Sequence, residues 1–149
     1  MQLIVFVGLQ GCGKSTFYAR HFADSHVRIN LDMLKTRHRE RLIFHVCLDA
    51  LQPTVIDNTN PTPEERAEYI VPAKARGFEV VGYYFQSRIE DCKRRNEQRA
   101  QDQVVPLVGL LGTARRLILP TRIEGFDRLS YVRINETGEY VVEEWCDEV

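Results

Sequence analysis

Five apolar residues, Leu3, Ile4, Val5, Phe6 and Val7, run directly into Gly8-Leu9-Gln10-Gly11-Cys12-Gly13-Lys14-Ser15. The second segment satisfies GxxxxGK(S/T) at every position, and it has the apolar strand before it and helical sequence after it that the pattern needs. The glycines let the backbone curl and aim its N–H groups inward at phosphate oxygens. A helix beginning near Lys14 adds its positive dipole end. In such a loop Lys14 neutralises the β- and γ-phosphates and the Ser15 hydroxyl ligates Mg2+. Backbone from Gln10, Gly11, Cys12 and Gly13 would line the same phosphates. Thr16 suits an α-phosphate contact and a plain first-turn helix position equally well. The loop implies a nucleoside triphosphate, but not where its γ-phosphate goes.

The rest of the chain repeats the strand–helix alternation. Residues 27–30, 54–57, 79–85 and 129–134 read as further strands, with 140–145 a hairpin partner after the 135–138 turn. Helices are expected over 14–23, from 32 to about 37, and over 42–51, 63–76, 88–99 and 106–119, with Gly77 stopping the fourth. The continuous apolar run at 3–7 marks a central parallel strand covered on both faces. The pattern predicts an α/β fold, a parallel sheet flanked by helices, in one domain over 1–149.

Composition excludes little beyond this. A formal net charge of −1 argues against wide wrapping of duplex DNA, which needs many cations, and leaves room for a local basic pocket. Cys12, Cys47, Cys92 and Cys146 form no CxxC pair, so reduced thiols in a cytoplasm are expected, without a disulfide framework or a zinc site. The apolar amino terminus is short, lacks a basic leader and enters the glycine loop at once, so it reads as a strand and not as a signal. No stretch approaches membrane-spanning length, and no membrane partner is expected.

The residues favour phosphoryl transfer to an alcohol over hydrolysis. The candidate metal-side strand reads Val55-Ile56-Asp57-Asn58, and Asn58 cannot act as a general base for water. A kinase needs a carboxylate for the acceptor hydroxyl and cations over the γ-phosphate. Asp32 follows the 27–30 strand, whose carboxyl end lies at the same sheet edge as the loop. From position alone it fits a γ-phosphate-facing carboxylate and a helix-start residue equally. Lys35 shares its helix face and suits either a substrate phosphate or plain solvent. Arg88, Arg95 and Arg99 form a stripe at i, i+7 and i+11 leading into polar 101–104. The stripe reads as a lid closing on phosphates or as a solvated face paired with Glu90, Asp91 and Glu97.

The ordered set GLQGCGKST, VRINLDMLK, VIDNTNPTPEER, and KRRNEQR followed by VVP resembles the P-loop 5′-hydroxyl polynucleotide kinases. The later LPTRIEGFD also resembles the carboxyl-terminal part of related small kinases. The resemblance spans nearly the whole chain. It implies a P-loop NTPase fold of the nucleoside-kinase-like type with a lid. It also implies a small stand-alone kinase that uses ATP and Mg2+ on the 5′-hydroxyl end of DNA or RNA, in nucleic acid repair. By this resemblance Asp32 is the general base, Arg99 contacts the transferring phosphate and Arg95 the nucleotide. Asp57, Thr59 and Asn60 lie beside the acceptor, and Val105 packs on its nucleobase. Asp57 has the alternative role of organising magnesium through water. Lys35 departs from an arginine in the family, giving a point charge in place of a bidentate fork. The competing readings are a kinase for a small-molecule hydroxyl (nucleoside, sugar or antibiotic) and a low-turnover nucleotide-binding regulatory module.

Overall fold

The computed structural model describes residues 1–146. Its strands are β1 (Gln2–Val7), β2 (Val27–Ile29), β3 (Thr54–Ile56), β4 (Glu79–Phe85), β5 (Arg128–Ile134) and β6 (Tyr140–Glu144). They form one sheet in the order β2-β3-β1-β4-β5-β6. The first five are parallel, and β6 returns antiparallel to β5 with Ile134 opposite Tyr140. In β1, Val5 faces Ile56 of β3 on one side and Gly82 of β4 on the other. The chain thus leaves β1 for one half of the sheet and later crosses to the other half. This divergence opens a crevice at the carboxyl end of β1, where ligands bind in open α/β sheets.

The helices are α1 (Lys14–His21), α2 (Leu31–Leu34), α3 (Arg37–Asp49), α4 (Pro63–Ala75), α5 (Ile89–Glu97) and α6 (Leu107–Arg116). Side chains alternate along a strand, so β1 feeds two cores. Leu3, Val5 and Val7 join Phe44 and Leu48 of α3 and Tyr69 and Ile70 of α4. Ile4 and Phe6 join Phe17 of α1, Cys92 of α5 and Leu110 of α6. On that second face Phe6, Phe17 and Phe85 meet edge-on, with ring centroids 5.0–5.9 Å apart, the geometry aromatic quadrupoles prefer. The crevice end of β1 is therefore held from both sides.

The strands fall where the sequence pattern predicts them, and three helices differ in their bounds. The expected helix from residue 32 ends after one turn, because Lys35 has φ 76° and closes α2. Thr36 then caps a new helix, accepting from the Arg39 N–H at 3.1 Å, so α3 starts at Arg37, ahead of the apolar stretch at 42–51 from which it was read. The helix expected over 88–99 ends at Glu97, which leaves Arg99 on the chain leading into a 3-10 turn at Gln101–Gln103.

One buried charge organises the corner after β3. Arg66 of α4 is fully buried. Its Nε and one terminal nitrogen donate to the two Glu124 oxygens at 2.7 and 3.0 Å, and its other nitrogen donates to the Asn60 carbonyl at 2.9 Å. Asn60, at φ 46°, donates its side-chain amide to the Phe6 carbonyl at 2.7 Å, and the Thr59 carbonyl accepts from Gly8 N–H at 3.0 Å. The corner is thereby stitched to the end of β1, where the glycine loop begins. Removing one partner of a buried pair leaves an uncompensated charge, which costs about 3–5 kcal/mol. Glu124→Ala should lower the unfolding free energy by that amount, read as a lower denaturant midpoint at an unchanged slope. Arg66→Met combined with Glu124→Leu should recover most of the loss, whereas an equal loss in both would assign the clamp to shape alone.

Candidate active site

The glycine loop is tightly wound around its own lysine. The Lys14 ammonium donates to the Gly8 and Leu9 carbonyls at 2.8 and 2.7 Å, and Gly13 precedes α1 at φ 96°, a conformation for which a Cβ is unfavourable. Gly11 is where the loop meets α5: a Cβ there would lie 2.4 Å from the Cys92 carbonyl oxygen. Tyr140 of β6 donates its hydroxyl to the Gly13 carbonyl at 2.7 Å. The Cys12 side chain is turned into the core beneath the loop, so only its backbone can serve a phosphate. Burial pushes the Cys12 thiol up, and burial pushes the Cys92 thiol up to about 12; both stay protonated. Gln10 donates from Nε2 to Thr113 of α6 at 3.0 Å, and its Oε1 is buried without a partner. A cavity of about 220 Å³ opens over the loop, lined by Gly13, Lys14, Ser15, Thr16, Arg95 and Arg99 among others.

A second set of bonds joins the loop to the β2 and β3 ends. The Ser15 hydroxyl donates to Asp57 Oδ2 at 3.0 Å. Arg28 of β2 donates from Nε to the same oxygen at 2.8 Å and from a terminal nitrogen to Ser15 Oγ at 2.9 Å. Asp57 is buried at the end of β3. Asn30 donates to the Asp57 carbonyl at 2.6 Å and caps α2 by accepting from the Met33 N–H at 2.9 Å. Asn58 accepts from the Leu31 N–H at 2.9 Å and donates to Glu40 Oε2 at 2.7 Å. The buried Glu40 carboxylate also accepts from the Tyr69 hydroxyl at 2.6 Å and from Arg37 at 3.0 Å. A carboxylate only accepts, so Glu40 dictates that Asn58 turns its NH2 inward and its oxygen toward α2. Burial, with the hydrogen bond to Glu40, pushes the Tyr69 hydroxyl pKa upward, so it stays a donor. The one-turn helix that carries Asp32 is held by this chain of contacts.

The segment after α5 is tied back to that helix at Val105 by the Asn96 side chain. Asn96 of α5 donates to the Val105 carbonyl at 2.7 Å and accepts from the Val105 N–H at 3.0 Å. Arg99 donates to the Gln103 carbonyl at 3.4 Å. Between this segment and α2 lies a cleft of about 850 Å³, lined among others by Arg28, Asp32, Lys35 and Val105. The cleft and the loop cavity share two lining residues, Ser15 and Arg99.

Most of the residues singled out from sequence therefore border one of two adjoining cavities, and Gln10, Cys12, Asp57, Thr59 and Asn60 are not among their lining residues. Asp57 lies behind Ser15 and is not among the cleft-lining residues. Asn60 is buried with its amide on Phe6, and Thr59 holds Gly8 through its backbone; neither lines the cleft. In the structure all three support the loop, Asp57 through Ser15, Asn60 through Phe6 and Thr59 through Gly8. Sequence reasoning missed Arg28, Glu40, Asn96 and Tyr140. The only local signal for Arg28 was a cation in the middle of an otherwise apolar strand, Val27-Arg28-Ile29.

A family model described as AAA domain matches residues 3–108, from β1 to the start of α6. The chain belongs to this family. It has the P-loop kinase fold, with a nucleotide-binding phosphate loop. The chain is 29% identical over 146 residues to the bifunctional polynucleotide phosphatase/kinase of Schizosaccharomyces pombe, covering 93% of this chain and 35% of that protein. It thus spans about a third of that relative's length. Chaetomium thermophilum Kti12 in complex with ADP-AlF3 superposes with a TM-score of 0.64 at 18% identity, over 91% of this chain and 92% of that one. A gluconokinase from Sinorhizobium meliloti gives a TM-score of 0.64 at 18% identity, over 91% and 83%. These two likenesses are of fold.

The Asn96 tether makes a testable claim about the lid. Asn96→Leu removes both bonds to Val105. With a net contribution of about 1 kcal/mol for each hydrogen bond, amide exchange at Val105 should accelerate roughly thirtyfold. Exchange at the central β1 amides should stay unchanged. Unaltered exchange at Val105 would show that the segment is held by packing instead.

Proposed function

We propose that this chain transfers the γ-phosphate of ATP, with magnesium, to the 5′-hydroxyl end of DNA or RNA. The observation that carries the reading is the meeting of two cavities at Ser15 and Arg99, with Asp32 on the wall of the larger one. The smaller cavity sits over the phosphate loop and suits the donor triphosphate. The larger offers an acceptor a carboxylate, Asp32, the cations Lys35 and Arg28, and an apolar wall at Val104 and Val105. Cations beside apolar surface match a nucleotide end, whose phosphate and base need one of each. The similarity to a relative named as a polynucleotide phosphatase/kinase points to the same acceptor class.

In this reading Asp32 orients the attacking hydroxyl and accepts its proton, while Lys14 and Arg99 cover charge on the γ-phosphate. Arg95 reaches the nucleotide from the same side. Val105 packs on the acceptor nucleobase. The residues fit magnesium: Ser15 Oγ and Asp57 Oδ2 are hard oxygens 3.0 Å apart, and a site of this kind takes its remaining ligands from water and phosphate. Among the described residues no group of three or more His, Cys, Asp or Glu side chains could hold a metal ion by itself. When bound, the ion supplies charge stabilisation between the β- and γ-phosphates. The four cysteines are free and suit a reducing compartment such as the cytoplasm.

Transfer of labelled γ-phosphate should be measured against 5′-hydroxyl DNA, 5′-hydroxyl RNA, free nucleosides, gluconate and water. A 5′-hydroxyl oligonucleotide should accept label with a kcat/KM at least about a hundredfold above any small alcohol. Preferential labelling of a nucleoside or sugar would replace the reading with a small-molecule kinase, and binding of ATP without transfer to any acceptor would indicate a regulatory module.

A further inference from the structure

Arg28 is the only cation hydrogen-bonded to both Ser15 and Asp57 among the described residues. Its position is specific. Nε lies 2.8 Å from Asp57 Oδ2, a terminal nitrogen lies 2.9 Å from Ser15 Oγ, and Ser15 itself gives its proton to Asp57. The guanidinium carbon stands 5.8 Å from the Tyr18 ring centroid, so aromatic surface backs the charge on one side. The Arg28 side chain is 27% exposed, and its open side faces the larger cleft.

The hydroxyl of Ser15 has one proton and two lone pairs. The proton goes to Asp57 and one lone pair to Arg28. A dication bound through the remaining lone pair would share a single oxygen with a guanidinium, and like charges at that separation repel strongly. The same repulsion acts at Asp57 Oδ2, the oxygen on which Arg28 and Ser15 converge. Arginine cannot relieve the conflict by losing a proton. Relief has to come from movement, and the open side of the guanidinium gives the direction: a turn about the outer side-chain bonds carries it off Ser15 and Asp57 and into the cleft.

We propose that Arg28 is a built-in rival of magnesium for Ser15, and that metal–nucleotide loading drives its guanidinium from the loop into the acceptor cleft. Metal loading then does two things at once. It frees the Ser15 hydroxyl, and it delivers a planar cation suited to an acceptor phosphate to the cleft where Lys35 supplies only a point charge. The inference rests on the proposed use of magnesium at Ser15, and it does not depend on which alcohol accepts the phosphate.

The test is the magnesium dependence of nucleotide binding by the full chain, read from a fluorescent non-hydrolysable ATP analogue titrated with Mg2+ from an EDTA baseline. Wild-type protein should bind the analogue more tightly as Mg2+ rises. Arg28→Gln keeps a donor for Asp57 and removes the charge. Its half-saturating Mg2+ concentration should fall about tenfold, the worth of one charge-assisted hydrogen bond that no longer has to be broken. Arg28→Lys retains a charge but cannot bridge both oxygens, so its midpoint should fall too, by less. Melting of each variant is followed in parallel, and Arg28→Lys decides the matter if Arg28→Gln does not fold. A midpoint unchanged or raised in a folded variant would overturn the inference and leave magnesium use intact. Analogue binding that ignores Mg2+ in the wild-type protein would overturn the inference together with magnesium use at Ser15.

Discussion

The arrangement depends on one buried carboxylate. Asp57 sits at the end of β3 with 1% of its surface exposed, and an unpaired carboxylate there would cost several kcal/mol. It is compensated by groups from two other elements, Ser15 at the start of α1 and Arg28 in β2. Meeting that requirement draws the phosphate loop and the β2 end to the same point. The turn after β2 carries Asp32, so satisfying Asp57 also brings that carboxylate to the edge of the loop. The loop cavity and the larger cleft are registered by this electrostatic demand of the core.

Around that point the polar contacts are arranged in series. Glu40 orients Asn58, Asn58 holds Leu31, and Asn30 holds both Met33 and the Asp57 backbone. On the opposite wall Asn96 ties Val105 to α5 by two hydrogen bonds, and α5 in turn rests on Gly11 of the loop. The larger cleft is thus bounded by a many-bonded wall and a lightly bonded one. A wall held by few bonds opens at low cost, and the proposed entry of a large acceptor calls for such a side.

The strands and the phosphate loop were legible because they are local. The continuous apolar run of β1 and the spacing of Gly8, Gly13, Lys14 and Ser15 are written within about a dozen residues. Asp32, Arg99 and Val105 were legible as an ordered set, and the structure brings them to one cleft. What was not legible is pairwise and long-range. Arg28 and Asp57 are separated by 29 residues, and Arg66 and Glu124 by 58, so neither leaves a local pattern. The break at Lys35 was hidden because a lysine at φ 76° contradicts its own propensity; the tertiary contacts of Asn30 and Asn58 impose the turn. The hold of Asn60 on the Phe6 carbonyl was hidden for a related reason, since it joins residues 54 apart.

The central claim is that Asp32 acts on the acceptor across the Ser15–Arg99 junction. The most direct measurement is kcat of Asp32→Asn on a 5′-hydroxyl oligonucleotide, taken with thermal melting of the same preparation. The substitution keeps shape and removes the proton acceptor. Loss of general-base assistance predicts a fall of about 10²–10⁴ in kcat, with melting and nucleotide affinity close to wild type. A variant that melts early by the equivalent of about 1 kcal/mol, as the loss of a helix-start residue would give, and yet turns over normally, would contradict the account.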